Sequence, residues 1–163
     1  AMRALDAMVE VEGEDGSRRD VALDDFYRLP GDRPDRETTL QPGDLITGVT
    51  LPAPVAGRQQ YRKVRDRASY AFALVSVAAE LSVTGAEIAT ARIALGGVAH
   101  KPWRARRAEE VLVGAPAEPE TFLAAADAEL ADAEPLPGNE FKVELARRTL
   151  VAQLRALTER ARR

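Results

Sequence analysis

The spacing of hydrophobic residues changes along the chain, and the change predicts strands first and helices afterwards. Residues 5–12 alternate between apolar and polar side chains and run into a glycine-rich turn, so residues 18–23 are expected to pair back as a hairpin. Residues 24–29 predict one helical turn. Residues 30–37 are rich in Pro, Asp and Arg, a composition typical of a loop.

A further strand is predicted over residues 45–51. Its alternation places Ile46 on one face, and on the opposite face the side chains of Leu45, Thr47, Val49 and Leu51. The next residues are rich in Pro and Ala and end in a glycine, which indicates a linker. We therefore expect a domain boundary between residues 1–52 and residues 58–163.

The second domain is predicted to contain antiparallel strands, because the connections are too short for the crossover that parallel strands need. We expect these strands at residues 59–66, 72–83 and 88–95. Helical spacing follows, with helices expected at residues 103–113 and 119–131 and a third one after Gly138. This order predicts an α+β fold in which an antiparallel β-sheet is followed by a three-helix layer. The terminal arginines would complement the dipole of the last helix; they are Arg160, Arg162 and Arg163.

Composition excludes several classes of function. The net charge of −3, with 23 Lys and Arg against 26 Asp and Glu, gives no reason to expect nucleic acid or an anionic membrane as a partner. The chain has no cysteine, which excludes disulfides, iron–sulfur ligation and thiol catalysis by this chain. The single histidine, His100, cannot build a metal site alone. No apolar run reaches the ~18 residues of a membrane span.

The residues alone predict no catalytic group. There is no nucleophile–base pair of recognisable spacing, no run of metal ligands, and no glycine-rich phosphate loop before a helix. The lack of cysteine fits a reducing compartment, so a cytoplasmic location is expected.

Long phrases of the sequence carry more information than its short patterns. In the second domain they are YRKVRDRASYAFALVS at residues 61–76, ALGGVAHKPWRA at 94–105 and FKVELARRT at 141–149. Upstream stand DDF at 24–26 and LQPGDLI at 40–46. In this order and spacing, which covers nearly the whole chain, they resemble FAD-binding (medium) subunits of the xanthine dehydrogenase and carbon monoxide dehydrogenase family of molybdenum hydroxylases.

The resemblance implies that residues 58–163 form the C-terminal domain of such a flavoprotein subunit, with a fold like that of the CO dehydrogenase flavoprotein C-terminal domain. Residues 1–52 then resemble the end of the preceding FAD-binding domain. The chain is expected to be the C-terminal portion of a longer subunit, and to be inactive alone. Because the family's phosphate-binding loops lie in the other half of the subunit, we expect FAD in the full-length subunit but not on this chain.

The partners implied by the resemblance are a molybdopterin-binding large subunit, which hydroxylates the substrate, and a 2Fe-2S small subunit, which carries electrons to FAD. The flavin then passes them to NAD, oxygen or another acceptor. The sequence names neither the substrate nor the acceptor. We also expect some self-association through strand edges left bare by the missing half.

Three positions match flavin contacts of the family. Ile46 matches an aliphatic residue that packs against the cofactor, and Lys63 matches a lysine that reaches the isoalloxazine ring. A cation there would favour the anionic reduced flavin. Tyr70 lies on the loop that borders the ring and would stack on it or shield it. The alternatives are an ordinary core residue for Ile46, an edge-guarding lysine for Lys63, and a half-buried strand residue for Tyr70.

Two other functions stay open. The chain could be a non-catalytic assembly or interaction domain that docks the flavin subunit onto its partners, with Trp103 as a packing anchor at a subunit contact. An unrelated α+β ligand-binding protein is the third hypothesis.

Overall fold

The first sheet has three strands, as the computed structural model shows for residues 1–159. The prediction about the terminal arginines falls outside these described residues. The strands are β1 (Met8–Glu12), β2 (Arg18–Ala22) and β3 (Leu45–Thr50), in the order β2-β1-β3 and all antiparallel. A short helix, α1 (Leu23–Phe26), follows the hairpin. The predicted hairpin and helical turn are therefore confirmed.

The predicted alternation along β3 is wrong. The register shifts between Glu10 and Val11, so Ile46 stands opposite Val11 while Val49 stands opposite Val9. Val9 and Val11 point to the same face of β1, and both are buried. A bulge adds one residue to one strand and reverses the side of every side chain beyond it. Ile46 and Val49 consequently share a face, where the sequence had placed them on opposite faces.

The second sheet has four strands, which are β4 (Arg58–Val64), β5 (Val75–Thr84), β6 (Glu87–Gly96) and β7 (Trp103–Arg104). Neighbours pair antiparallel in the order β4-β5-β6-β7. Gly85 turns β5 into β6 with φ +64°, a left-handed conformation that favours glycine. The antiparallel strands predicted from the sequence are confirmed, and β7 is an addition to them.

The helices α2 (Arg106–Leu112), α3 (Pro119–Leu130) and α4 (Phe141–Glu159) cover one face of this sheet. The shared core is apolar and fully buried, and its largest members are Phe122, Ile88, Ile93, Leu112, Leu150 and Leu154. The predicted α+β fold with a helical layer is confirmed. In residues 1–159, no helix is both long and apolar enough to cross a membrane.

One helix begins later than the sequence indicates. Trp103 and Arg104 were expected inside a helix, but they pair with Leu95 and Ala94 as β7. The Ala105 amide also donates to the Ile93 carbonyl at 2.9 Å, which holds the backbone in the sheet until α2 starts. Sheet pairing therefore overrides the local helical pattern here, as tertiary contacts often do.

The other face of the four-stranded sheet is partly covered by the start of the chain. Ala4 packs against Ala78 of β5 and Ala94 of β6, and all three are buried. Strand β5 is therefore buried on both faces over most of its length.

Candidate functional site

Lys63 lies on the face of the sheet that the helices do not cover. Its neighbour Arg62 points to the other face, where the Arg62 Nε donates to Gln153 Oε1 of α4 at 3.0 Å. Across the strands, Lys63 stands opposite Ser76, and Ser76 stands opposite Gly96. The ammonium group is exposed and makes no hydrogen bond or ion pair with residues 1–159. Within the described residues, Lys63 is thus an unpaired cation at the end of a row of small residues.

The row of small residues beside Lys63, Ser76 and Gly96, is closely packed. A Cβ added to Gly96 would lie 2.5 Å from Ser76 Oγ, so a larger residue there would have to displace the Ser76 side chain. Gly97 has φ +77°, and a Cβ at that position would meet the Leu74 carbonyl oxygen at 2.6 Å. The Gly97 carbonyl accepts a hydrogen bond from Lys142 Nζ at 3.0 Å. Glycine is therefore required where the end of β6 approaches the loop between β4 and β5.

That loop, residues 65–74, projects two aromatic side chains into solvent. The Leu74 amide donates to the Val64 carbonyl at 2.9 Å and closes the base of the loop. Tyr70 is 96% exposed with φ +51°, and its carbonyl accepts a hydrogen bond from the Arg67 guanidinium. Phe72 is 98% exposed. The alternative of a half-buried strand residue is therefore wrong for Tyr70.

Sequence reasoning missed the exposure of Phe72. Its apolar character fitted the alternation of the next strand, so the strand was expected to start at residue 72 and not at Val75. The only signal against it was the density of charged and small residues just before it, which is typical of a loop.

Ile46 belongs to the other sheet. It is 47% exposed on β3, an edge strand whose other apolar side chains, Leu45 and Val49, are also exposed, as is Leu51 directly after the strand. The structure thus brings Lys63 and the Tyr70 loop to one end of the four-stranded sheet, and it places Ile46 in the three-stranded sheet.

Lowered pKa values mark three carboxyl groups that pair with arginine. Hydrogen bonds from Arg33, Arg19 and Arg147 lower the pKa values of Asp35, Asp44 and Asp127 respectively. Each of these carboxylates is held ionised by its own arginine partner, so none is poised for acid–base chemistry. Residues 1–159 also contain no group of three His, Cys, Asp or Glu side chains that could hold a metal ion.

A cleft of about 850 Å³ lies between the end of the sheet and the helices, and the sequence did not predict it. Trp103 lines it, with its indole Nε1 donating to Glu129 Oε1 at 2.7 Å. The second oxygen of Glu129 accepts from the Ala108 amide at 3.1 Å. His100 is also part of the lining. The cleft therefore has a fixed aromatic wall, and its rim carries Leu136, which is 67% exposed.

Comparison with known proteins gives a consistent result. The family model of the CO dehydrogenase flavoprotein C-terminal domain matches residues 59–157, which run from β4 into α4. The aldehyde oxidoreductase FAD-binding subunit PaoB of Escherichia coli K12 is 52% identical over 155 residues, which is 94% of this chain and 45% of that protein. The carbon monoxide dehydrogenase medium chain of Afipia carboxidovorans is 35% identical over 69% of this chain and 37% of that protein.

Solved structures agree with these sequences. Quinoline 2-oxidoreductase from Pseudomonas putida 86 has a TM-score of 0.84 and 27% identity, covering 98% of this chain and 55% of that chain. A carbon monoxide dehydrogenase from Hydrogenophaga pseudoflava also has a TM-score of 0.84, with 29% identity over 96% of this chain and 54% of that chain. The chain thus spans about half the length of the relatives it matches.

Proposed function

The chain belongs to the family of the CO dehydrogenase flavoprotein C-terminal domain, and from this premise we propose that it helps to hold the FAD of a molybdenum hydroxylase. In that role it is the C-terminal part of the FAD-binding subunit. The flavin passes electrons from iron–sulfur clusters to an acceptor such as NAD. The observation that carries the proposal is the ammonium group of Lys63, which has no partner among residues 1–159. It lies inside the stretch matched to flavoproteins and beside an exposed aromatic loop.

Lys63 supplies the electrostatic part of this role. The bound flavin would supply the redox chemistry, and the protein holds and tunes it. An opposite charge stabilises the ionised form of a neighbouring group. Because no residue of the described chain neutralises Lys63, its charge is available to an anionic ring beside it.

Tyr70 and Ile46 supply apolar contacts. An exposed tyrosine ring on a loop can stack on a planar ring and exclude water from it. The aliphatic side chain of Ile46, 47% exposed, offers a second apolar surface from the other sheet. The ring end of FAD therefore fits the residues present.

The phosphate end of FAD does not have such a partner in this chain. No glycine-rich loop precedes any of the helices, so the sequence lacks the usual cradle for a pyrophosphate. We therefore assign the cofactor to the full-length subunit. Titration of free FAD with this chain, followed by flavin fluorescence, should show no binding at protein concentrations on the order of tens of micromolar. Tight saturable binding would contradict this assignment.

The partners proposed for the full-length subunit are a molybdopterin-binding large subunit and a 2Fe-2S small subunit, and the proposed location is the cytoplasm. Two of the relatives are named as a medium chain and a medium subunit. Such names support a subunit of intermediate size in a larger enzyme.

An assembly role is the second candidate, and the Trp103 cleft favours it. Leu136 and Trp103 both line the cleft, and they are 67% and 38% exposed. Replacing Leu136 with Asp should then abolish association with the partner subunits and leave the fold intact. Replacing Lys63 should instead impair electron transfer without affecting association. These opposite outcomes separate the two functions.

A further inference from the structure

The two sheets are joined mainly by arginine side chains. In the described chain, every hydrogen bond that crosses from residues 1–52 to residues 58–159 starts on Arg92, Arg104 or Arg106. Arg104 makes three of these five hydrogen bonds. Among residues 1–159, no strand of one sheet pairs with a strand of the other. The relative position of the sheets therefore depends on few groups besides the small contact of Ala4.

Arg104 recognises the turn at the start of the chain. Its side chain is 6% exposed, and its Nη1 donates to the carbonyl oxygens of Arg3 and Ala4 at 3.1 Å each and to Asp6 Oδ1 at 2.7 Å. Its Nε donates to the Glu109 carboxylate of α2. A planar guanidinium holds such a set of acceptors in a fixed direction. Arg104 is thus bound by α2 on one side and by the N-terminal turn on the other.

Asp6 adopts a conformation that needs support. Its φ is +52°, a left-handed value that non-glycine residues rarely adopt, although Asp and Asn tolerate it best. Its carboxylate also pairs with Arg92 at 3.4 Å and with Arg3 at 3.5 Å. Two of its three arginine partners, Arg92 and Arg104, belong to the four-stranded sheet.

We propose that Asp6, Arg92 and Arg104, the inter-sheet cluster, position the three-stranded sheet against the four-stranded sheet and so fix the separation of Ile46 from Lys63. The functional part of this inference rests on the proposed flavin role, in which Ile46 contacts the flavin from the three-stranded sheet and Lys63 contacts it from the four-stranded sheet. Asp6 acts as a positioning residue. It is not itself a candidate flavin contact, but it controls the position of Ile46 relative to Lys63.

A distance measurement in the intact chain tests the proposal without any flavin. The chain has no cysteine, so cysteines introduced at the exposed positions Asp20 and Arg155 are the only sites for spin labels. Pulsed electron–electron distance measurement should give one narrow distribution for the parent. The variant Asp6→Asn keeps a side chain that tolerates positive φ and removes the charge, so it should broaden the distribution about twofold while the circular dichroism spectrum is unchanged.

Controls make each outcome decisive. Asp25→Asn removes an exposed carboxylate of α1 that makes no ion pair in the described chain, and it should leave the distribution narrow. Arg92→Gln removes a second member of the cluster and serves if Asp6→Asn fails to fold. A distribution as narrow as that of the parent in the folded Asp6 or Arg92 variant overturns the proposal. If the full-length subunit does not bind FAD, the proposed flavin role is contradicted. The measured distances would still support the role of the inter-sheet cluster in positioning the two sheets.

Discussion

Replacement of Glu109 by alanine should be among the most destabilising changes in the chain. Glu109 is 9% exposed on α2, where its Oε1 accepts hydrogen bonds from the Ile93 amide, at 2.6 Å, and from Arg104 Nε. The carboxylate takes the place of a strand partner for β6 beyond the end of β7. The variant Glu109→Ala would therefore leave both a buried amide and a buried guanidinium short of a partner.

The expected cost follows from the two groups that lose their partner. Removing one member of a buried ion pair typically costs about 3–5 kcal/mol, because the other charge stays buried without compensation. Arg104 keeps Asp6 and two carbonyl oxygens, so the loss should fall at the lower end of that range, about 3 kcal/mol. Glu109→Gln retains the acceptor for the Ile93 amide and loses only the charge, so it should cost less.

Equilibrium unfolding in urea, followed by circular dichroism, measures the effect as a lower midpoint with an unchanged slope. Glu110→Ala is the matched control, because Glu110 is the next residue of the same helix and is exposed. The control should change the free energy of unfolding by less than about 0.5 kcal/mol. A loss for Glu109→Ala no larger than that of the control would refute the argument.

Gly97→Ala should destabilise the protein more than Gly85→Ala in the same urea assay, because both glycines have positive φ but only a side chain at Gly97 would clash with the Leu74 carbonyl. We expect a loss of about 1 kcal/mol in the free energy of unfolding for Gly85→Ala and a larger loss for Gly97→Ala; equal losses would contradict the clash. The pKa of Asp44 is lowered chiefly by its hydrogen bond from Arg19, so its contribution to stability is present above the unfolded-state pKa and is lost as the pH falls below about 4. Asp44→Asn should therefore flatten the loss of stability in acid titrations of unfolding, and an unchanged acid profile would count against this pair. Lys63→Gln in the full-length subunit should raise the pKa of the reduced flavin by about one unit or more, measured by absorbance during reductive titration at several pH values. An unchanged pKa would show that Lys63 does not lie beside the flavin ring.

Local patterns were sufficient to predict that β4, β5, β6 and α3 exist, although they placed the start of β5 too early. Alternating residues, short turns and a proline at the first position of the helix each act over a few neighbours, so the sequence displays them directly. Two other features were predicted wrongly, because they are not determined by neighbouring residues. The bulge opposite Glu10 and the pairing of Trp103 with Leu95 depend on a strand elsewhere in the chain.

The candidate site could be predicted only through the resemblance. A lysine on a strand is typical of a sheet edge. Nothing near Lys63 in the sequence indicates that its charge has no partner among residues 1–159. The inter-sheet cluster was not predictable at all, because Arg104 and Asp6 are separated by 98 positions. Buried arginines of this kind become visible only when the fold brings their acceptors together.

The inter-sheet cluster also bears on the boundary expected between residues 1–52 and residues 58–163, which stays a prediction. Residues 1–7 precede the first strand, yet Ala4 and Asp6 contact the second sheet across that boundary. The linker is packed as well, because a side chain at Gly57 would collide with the buried Glu80 carboxylate. If the two parts were independent domains, cutting the linker would leave both as stable as before. The contacts lead us to expect instead that cleavage after residue 54, at an engineered protease site, leaves the two pieces associated. Asp6→Asn should weaken that association, and gel filtration of the cleaved chain would show whether it does.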